Sequence, residues 1–360
     1  MVIPIDVETA LKIFWSEQKV LLIDTRSPKE YELDHLPGAI NLPILSNEER
    51  AVVGTLYKQV SQEKAVEKGI EFFSKKLPEF IAEINKHKPK EIIIYCWRGG
   101  MRSRAVTALL ESLGYKVFQL AGGYKNYRYY VREKLQSYSL KPKLVVIWGL
   151  TCTGKTKLLA KFPNSLNLEE LAQHRGSLYG GIGLKPNSQK KFDNLLLQQL
   201  DKLNSEKYIV VEGESRKIGL VEIPPFLYKA MQTGMHILLI KDLNLRAKEA
   251  VDEYLSDVDN RTKDTKNNNK DNTPAITELK TITLSLKKIL SRQNKDKIIN
   301  LIDSQKYIDA AKILLEEYYD PLYYHTLKKI DFDLEVNNDD TNSAVKIITK
   351  KIAVLLKKFN

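Results

Sequence analysis

Residues 149–156 read Gly-Leu-Thr-Cys-Thr-Gly-Lys-Thr, directly after the apolar run LVVIW and shortly before the helical pattern KLLAKF. This is G-x-x-x-x-G-K-[ST] between a strand and a helix, the setting that gives the pattern its meaning. Such a loop wraps backbone N–H groups around a di- or triphosphate, with a lysine to neutralise it. Gly149, Thr153, Gly154, Lys155 and Thr156 are therefore the candidate diphosphate-binding residues. The Thr156 hydroxyl is available to Mg²⁺. Cys152, inside the loop, reads as a small filler rather than a catalyst.

The surrounding pattern is α/β. Short apolar, β-branched runs fall at residues 20–24, 39–43, 91–96 and 116–120, with helical stretches at 28–34, 47–88 and 102–113. A second set of strand patterns occupies 144–148, 208–211 and 236–240. Strands alternating with helices predict mostly parallel sheets. One hydrophobic core rarely grows past about 250–300 residues, so 360 residues imply two domains. Residues 124–143 are aromatic and basic and end in a proline-containing hinge, which marks the boundary. The expected division is a first domain at 1–130, a linker at 131–143 and a second domain at 144–360 with a helical C-terminal region. Residues 256–273, SDVDNRTKDTKNNNKDNT, are almost without apolar side chains and predict a mobile loop, after which the chain reads helical to its end.

No run approaches the ~18 apolar residues of a membrane helix. The N-terminal residues lack a basic stretch followed by an apolar block, so no secretory leader is expected. Two cysteines, Cys96 and Cys152, make neither a disulfide framework nor a four-thiolate zinc site. A cytoplasmic protein without membrane contact is expected. Lys and Arg number 57 against 45 Asp and Glu, a net charge of +12. That surplus favours polyanions through counterion release, although a lysine-rich solvated surface gives the same number.

A second chemical loop follows the strand at 91–96. It reads Cys96-Trp97-Arg98-Gly99-Gly100-Met101-Arg102-Ser103 and leads into a helix. Backbone N–H groups and a helix N-terminus at a sulfur lower a thiol pKa and cradle anions. Arg98 and Arg102 add positive charge. With Asp24-Thr25-Arg26, Glu30-Tyr31 and His35-Leu36-Pro37-Gly38-Ala39 upstream, these residues resemble a rhodanese domain. That resemblance implies a catalytic Cys96 carrying sulfur or selenium as a persulfide-type intermediate. Five residues separate Cys96 from Arg102, one more than in common sulfurtransferases of that fold. The longer spacing resembles the phosphatase relatives, but no Asp is placed as their general acid.

Beyond the phosphate loop, Glu212 and Glu214 close a predicted strand, where such folds place a metal-orienting carboxylate; a purely structural glutamate fits nearly as well. His174 and Arg175 in Leu171–Ser177, and Arg216 after Glu214, are further candidates for metal or substrate contact. Together with residues 49–59 and the Cys96 loop, these stretches make the chain, from about residue 5 to about 325, resemble bacterial tRNA 2-selenouridine synthases. The resemblance implies a rhodanese-like domain followed by a P-loop NTPase-like α/β domain. It implies wobble 2-thiouridine in tRNAs for Lys, Glu and Gln as substrate. Geranyl diphosphate would alkylate the sulfur and selenophosphate would then supply selenium, with no tightly bound cofactor. Lys125, Arg128 and Arg132, interleaved with Tyr124, Tyr127, Tyr129 and Tyr130, are candidate tRNA contacts; an amphipathic helix between the domains accounts equally for the pattern. The competing functional readings are an ATP-coupled sulfurtransferase acting on tRNA and a non-enzymatic regulatory module.

Overall fold

A computed structural model describes residues 3–15, 19–177, 180–181, 184–262, 274–286 and 290–357. They form two compact units. The first holds the described residues up to Ser137 together with Asp193–Leu197; the second holds Tyr138–Phe192 and the described residues from Gln198 onward.

The first unit is built on strands β1 (Ile3–Ile5), β2 (Val20–Asp24), β3 (Ile40–Asn41), β4 (Glu91–Tyr95) and β5 (Val117–Leu120). They pair in parallel in the order β1-β5-β4-β2-β3. Helices α1 (Val7–Trp15), α2 (Pro28–Leu33), α3 (Asn47–Gln59), α4 (Gln62–His87), α5 (Met101–Ser112) and α6 (Gly123–Gln136) connect them. Every residue of β4 is buried, as expected for a central parallel strand covered on both faces. One core face gathers Ile23, Ile92, Ile94, Phe80, Val106 and Leu110. The helical stretch at 47–88 divides because Ser61 caps α4, accepting a bond from the Lys64 N–H, while Ser46 and Glu49 form a capping box on α3. Strand β1 carries only three residues, and its apolar signal is too short to separate from α1 in the sequence.

The second unit repeats the principle. Strands β6 (Lys143–Gly149), β7 (Ser165–Leu166) and β8 (Tyr208–Glu212), with β11 (Met235–Ile240) and β12 (Leu334–Asn337), pair in parallel as β12-β11-β6-β8-β7. Strands β9 (Lys217–Ile218) and β10 (Val221–Glu222) make a small antiparallel ribbon. The connecting helices are α7 (Lys155–Leu159), α8 (Leu168–Ala172), α9 (Gln189–Leu203), α10 (Pro225–Gln232) and α11 (Leu243–Thr262). The C-terminal part carries α12 (Pro274–Ser285), α13 (Arg292–Asp303), α14 (Tyr307–Leu314), a π-turn (Leu315–Tyr319), α15 (Asp320–Leu327) and α16 (Thr341–Lys357). A sheet core around Ile147, Val210, Ile237 and Ile348 is distinct from a second cluster among the C-terminal helices, around Ile298, Leu315 and Tyr319.

Two expectations need correction. Residues 256–262 continue α11 rather than open a loop; the rest of the expected mobile loop, 263–273, lies outside the described residues. The tail is not helical throughout, because Leu334–Asn337 adds an edge strand in register with Ile237–Ile240. A four-residue strand between two helices is overruled by any helical average over that window. Among the described residues no helix is long and apolar enough to cross a membrane.

Each unit places its motif after a central strand, β4 or β6, where ligands of open α/β sheets bind. Ile147 is fully buried in β6, two residues before the strand ends at Gly149. Ile147→Ala is expected to destabilise the protein by about 2–5 kcal/mol in urea denaturation, the range for emptying a core isoleucine site.

Candidate functional site

Cys96 follows β4 and is buried. The Ser103 hydroxyl, two residues into α5, lies 3.2 Å from its Sγ and is oriented to donate to it. Gln119 of β5 donates to the Ser103 hydroxyl and to the Gly99 carbonyl, both at 2.9 Å. The loop is also tied to the start of α6, since the Tyr124 N–H donates to the Cys96 carbonyl at 2.8 Å and the Lys125 N–H to the Trp97 carbonyl at 2.9 Å. Trp97 leans on Tyr124 with ring centroids 5.3 Å apart. Arg98, Gly100 and Met101 stay exposed, and Gly100 caps α5. Arg102 donates to Glu30 at 3.0 Å, and Arg50 approaches the same oxygen at 3.6 Å. Glu30 is held below its ordinary range by those arginines, against the cost of its burial. Arg102 thus enters the site partnered.

A buried ion pair supports this loop from beneath. Arg26 binds Asp24 through Nη2 at 2.6 Å and donates to the Asp34 carbonyl at 2.7 Å. Its guanidinium carbon lies 3.9 Å from the Tyr124 ring centre, a cation–π stack in a dry setting. Tyr124 in turn donates to Asp34. Arg128 corrects the sequence reading: it is buried and donates to Asn194 and, at 2.9 Å, to Asp193. A guanidinium so enclosed is committed to the fold and not free for a nucleic-acid phosphate. Tyr124 and Tyr127 are buried as well, whereas Lys125, Tyr129 and Arg132 remain exposed on α6.

The phosphate loop leaves β6 at Gly149 and enters α7 at Lys155. Lys155 Nζ donates to the Gly149 carbonyl at 3.2 Å. Gly154 has φ +81, and a Cβ there would lie 2.9 Å from the Asn338 amide nitrogen, which donates to the Thr153 carbonyl at 2.6 Å. Arg246 donates to the Thr151 carbonyl at 2.9 Å. The cleft in front of the loop is lined by Lys155, Glu169, Arg175, Ser177, Glu253 and Tyr323 among others. Burial pushes the Cys152 thiol up to about 12, with Glu253 adding to the effect, so it stays protonated as a filler would.

Acidic groups crowd the far side. Glu212 ends β8, accepts the Glu169 N–H at 2.7 Å, and leaves its second oxygen buried without a hydrogen-bond partner. Burial, with the Glu169 charge, pushes Glu212 up to about 8; the same causes push Glu214 well above the carboxylate range. Glu169 also meets the Thr156 hydroxyl at 3.4 Å. Among the described residues no three His, Cys, Asp or Glu side chains converge as a self-sufficient metal site. The hydroxyl, the carboxylate and the orphaned oxygen nonetheless suit a hard divalent cation that takes its remaining ligands from phosphate. His174 and Arg175 follow α8: the His174 Nδ1 is buried without a partner, and burial lowers its pKa. Arg175 faces the cleft and offsets part of the burial cost of Glu253. Arg216 remains exposed beside Glu222 at 3.6 Å, outside the residues lining the cleft.

Sequence reasoning missed Ser103's donor Gln119, and it missed Glu169, Arg246, Glu253 and Asn338. Glu169 had one available signal, an acidic pair at the head of a short helix with an Asn cap. The others come from distant segments and carry none.

Residues 142–353 match the family model described as tRNA 2-selenouridine synthase AAA domain, and residues 6–129 match the rhodanese-like domain model. A curated relative named tRNA 2-selenouridine synthase from Nitrosomonas eutropha is 38% identical over 245 residues, covering 65% of this chain and 63% of the relative. This chain therefore spans just under two thirds of that relative's length. One of the same name from Hydrogenovibrio crunogenus is 29% identical over 340 residues, covering 88% and 92%. A solved N-terminal domain of a putative ATP/GTP binding protein from Clostridium difficile 630 is 42% identical, covers 36% of this chain and 98% of its own, and has a TM-score of 0.34.

Two outcomes test this geometry. Gly123 has φ +56, and a Cβ there would lie 2.3 Å from the Cys96 carbonyl oxygen. Gly123→Ala is expected to destabilise the protein in urea by at least the ~1–2 kcal/mol of a left-handed residue, and to speed iodoacetamide labelling of Cys96. Glu212 holds its proton in the folded chain between its ordinary 4.5 and about 8, while the unfolded chain releases it. Stability therefore falls as pH rises through that window. Glu212→Gln keeps an acceptor for the Glu169 N–H and should make the decline shallower, leaving the variant more stable than wild type at pH 8. Parallel declines would place the titration elsewhere.

Proposed function

The chain belongs to the tRNA 2-selenouridine synthase family, and from that premise we propose that it converts wobble 2-thiouridine of tRNA to 2-selenouridine in two steps. In the first, the 2-thiouridine sulfur attacks the allylic carbon of geranyl diphosphate, and diphosphate departs with the electron pair of the C–O bond. In the second, the selenium of selenophosphate adds to C2, geranyl thiol leaves with the C–S electron pair and a proton, and water cleaves the Se–P bond to release phosphate. The substrates are tRNAs for Lys, Glu and Gln, which places the reaction in the cytoplasm.

The observation that supports this reading is the presence of two different anion loops in one chain. The loop after β4 offers a sulfur nucleophile, Cys96, with a hydroxyl at 3.2 Å. The loop after β6 offers Lys155 among backbone amides and no ionised nucleophile, since its only thiol is held protonated. Two anionic donors, one phosphorylated selenide and one diphosphate ester, match that pair. Lys155 would neutralise the departing diphosphate, which is the charge that develops as the C–O bond breaks. Thr156 and Glu169, with Glu212 behind them, are the residues that would hold Mg²⁺; the ion would supply further positive charge to the diphosphate. Cys96 would serve the selenium step without forming an S–Se bond, which would need an oxidant, and the Ser103 hydroxyl would hold its sulfur in place. Exposed Lys125 and Arg132 stand as the tRNA-facing cations of α6, with Tyr129 between them.

The two loops should be separable by mutation. Lys155→Ala is expected to leave 2-thiouridine unaltered when nucleosides are analysed by mass spectrometry, a loss of several kcal/mol of transition-state stabilisation, or orders of magnitude in rate. Cys96→Ser should geranylate and then stall, accumulating S-geranyl-2-thiouridine. Pre-geranylated tRNA should restore selenouridine formation by the Lys155 variant. A folded Cys96 variant that fails to geranylate would overturn the assignment. Turnover without ATP separates it from an adenylating sulfurtransferase.

A further inference from the structure

The phosphate loop has a second side. Thr151 and Cys152, which line the cleft containing Lys155, also line a separate, half-open chamber of about 80 Å³ among the C-terminal helices. Its other walls are mostly hydrocarbon, from Val251 of α11, Leu279 of α12, Ile302 of α13, and Ala311 and Leu314 of α14, with Tyr307 and Tyr319 beside them. Among the described residues that line it, none is charged.

Three features concentrate at the junction. Thr151 Oγ1 is buried with no hydrogen-bond partner. Cys152 sits at φ +61, the left-handed region that strains a non-glycine residue. A glycine would adopt that conformation freely, so the strain is retained together with a side chain that lines both spaces. Leu315 and Tyr319, which also line the chamber, belong to the π-turn, and such turns cluster at functional sites.

A cradle for phosphate that shares Thr151 and Cys152 with an apolar chamber fits a particular class of molecule. A nucleoside triphosphate would bring a base whose polar edges need donors and acceptors, and burying them unmatched is costly. A diphosphate ester of a hydrocarbon chain brings none. We propose that this chamber is the prenyl subsite of the diphosphate substrate, with the tail passing Thr151 and Cys152 while the diphosphate remains at Lys155. The identity of the ligand rests on the function proposed above. The chamber adds where its tail goes and which residues select it. Each methylene moved from water to such walls should tighten binding about fourfold, so affinity should climb with chain length until the chamber is full.

The test uses the full chain without tRNA and compares inorganic pyrophosphate, dimethylallyl diphosphate and geranyl diphosphate by calorimetry. Wild type should bind geranyl diphosphate at least tenfold more tightly than pyrophosphate, with dimethylallyl diphosphate between them. Ala311→Phe, which fills the chamber, should erase that advantage and leave pyrophosphate affinity unchanged; unchanged pyrophosphate binding also reports an intact loop. If Ala311→Phe does not fold, Leu314→Ser, which roughens the wall instead of filling it, should reduce the advantage at least threefold. Equal affinity for all three ligands, or equal loss of pyrophosphate and geranyl diphosphate in a folded variant, would overturn the proposal. Tail-dependent binding with no geranylated nucleoside would remove the geranylation reading and keep the chamber. Geranylated tRNA with tail-independent binding would do the reverse.

Discussion

Arg246 sends one guanidinium in two directions. Two of its nitrogens bind the Asp320 carboxylate at 2.9 and 2.6 Å, and the third donates to the Thr151 carbonyl at 2.9 Å. Both charged groups are buried, and deleting one partner of such a pair typically costs 3–5 kcal/mol because the other is stranded. The fork fixes the phosphate loop against the first residue of α15, and hence against the helices that continue from it. Asn338 grips the loop two residues further on, at the Thr153 carbonyl, from beyond the edge strand β12. Lys155 takes the Gly149 carbonyl. Three alternate carbonyls are thus engaged, one by the loop's own lysine and two by donors that follow it by about a hundred residues or more, so distant parts of the chain help to impose its shape.

The same economy of charge governs both loops. In the first unit, burial is tolerated by Asp24 and Arg26 because each satisfies the other, and by Glu30 because two arginines reach it. In the second unit the balance is left open. Burial, reinforced by the Glu169 charge, raises the proton affinity of Glu212, Glu214 and Glu253, and Lys155 offsets only part of it. An unsettled balance of that kind in a cleft is what a site awaiting a charged ligand shows, whereas structural pairs such as Asp24 with Arg26 are already closed.

Much of this was legible in the chain itself. The two glycine-containing loops announced their strands and helices because local chemistry, a turn that only certain residues tolerate, is written in consecutive letters. The buried strands were equally visible, since a run such as EIIIY has few alternatives. What stayed hidden depends on distance in sequence. Arg128 looked like a surface cation among tyrosines, and only the fold brings Asp193 and Asn194 to it. Strand β12 has four residues and owes its existence to β11 rather than to its own propensity. Asn338 and Arg246 are ordinary letters until the loop they hold is in view.

The π-turn at Leu315–Tyr319 carries a further consequence. A π-turn holds one residue more than an α-turn, so the chain beyond it is rotated by about 100° relative to an unbroken helix. Asp320 is the first residue after it. Removing a single residue from this stretch would restore regular α-helical winding while preserving nearly all the composition, yet it would swing the Asp320 carboxylate about a quarter-turn from Arg246. The phasing of one helix therefore decides whether a distant loop keeps its shape, and chain length at this point is held as tightly as any side chain.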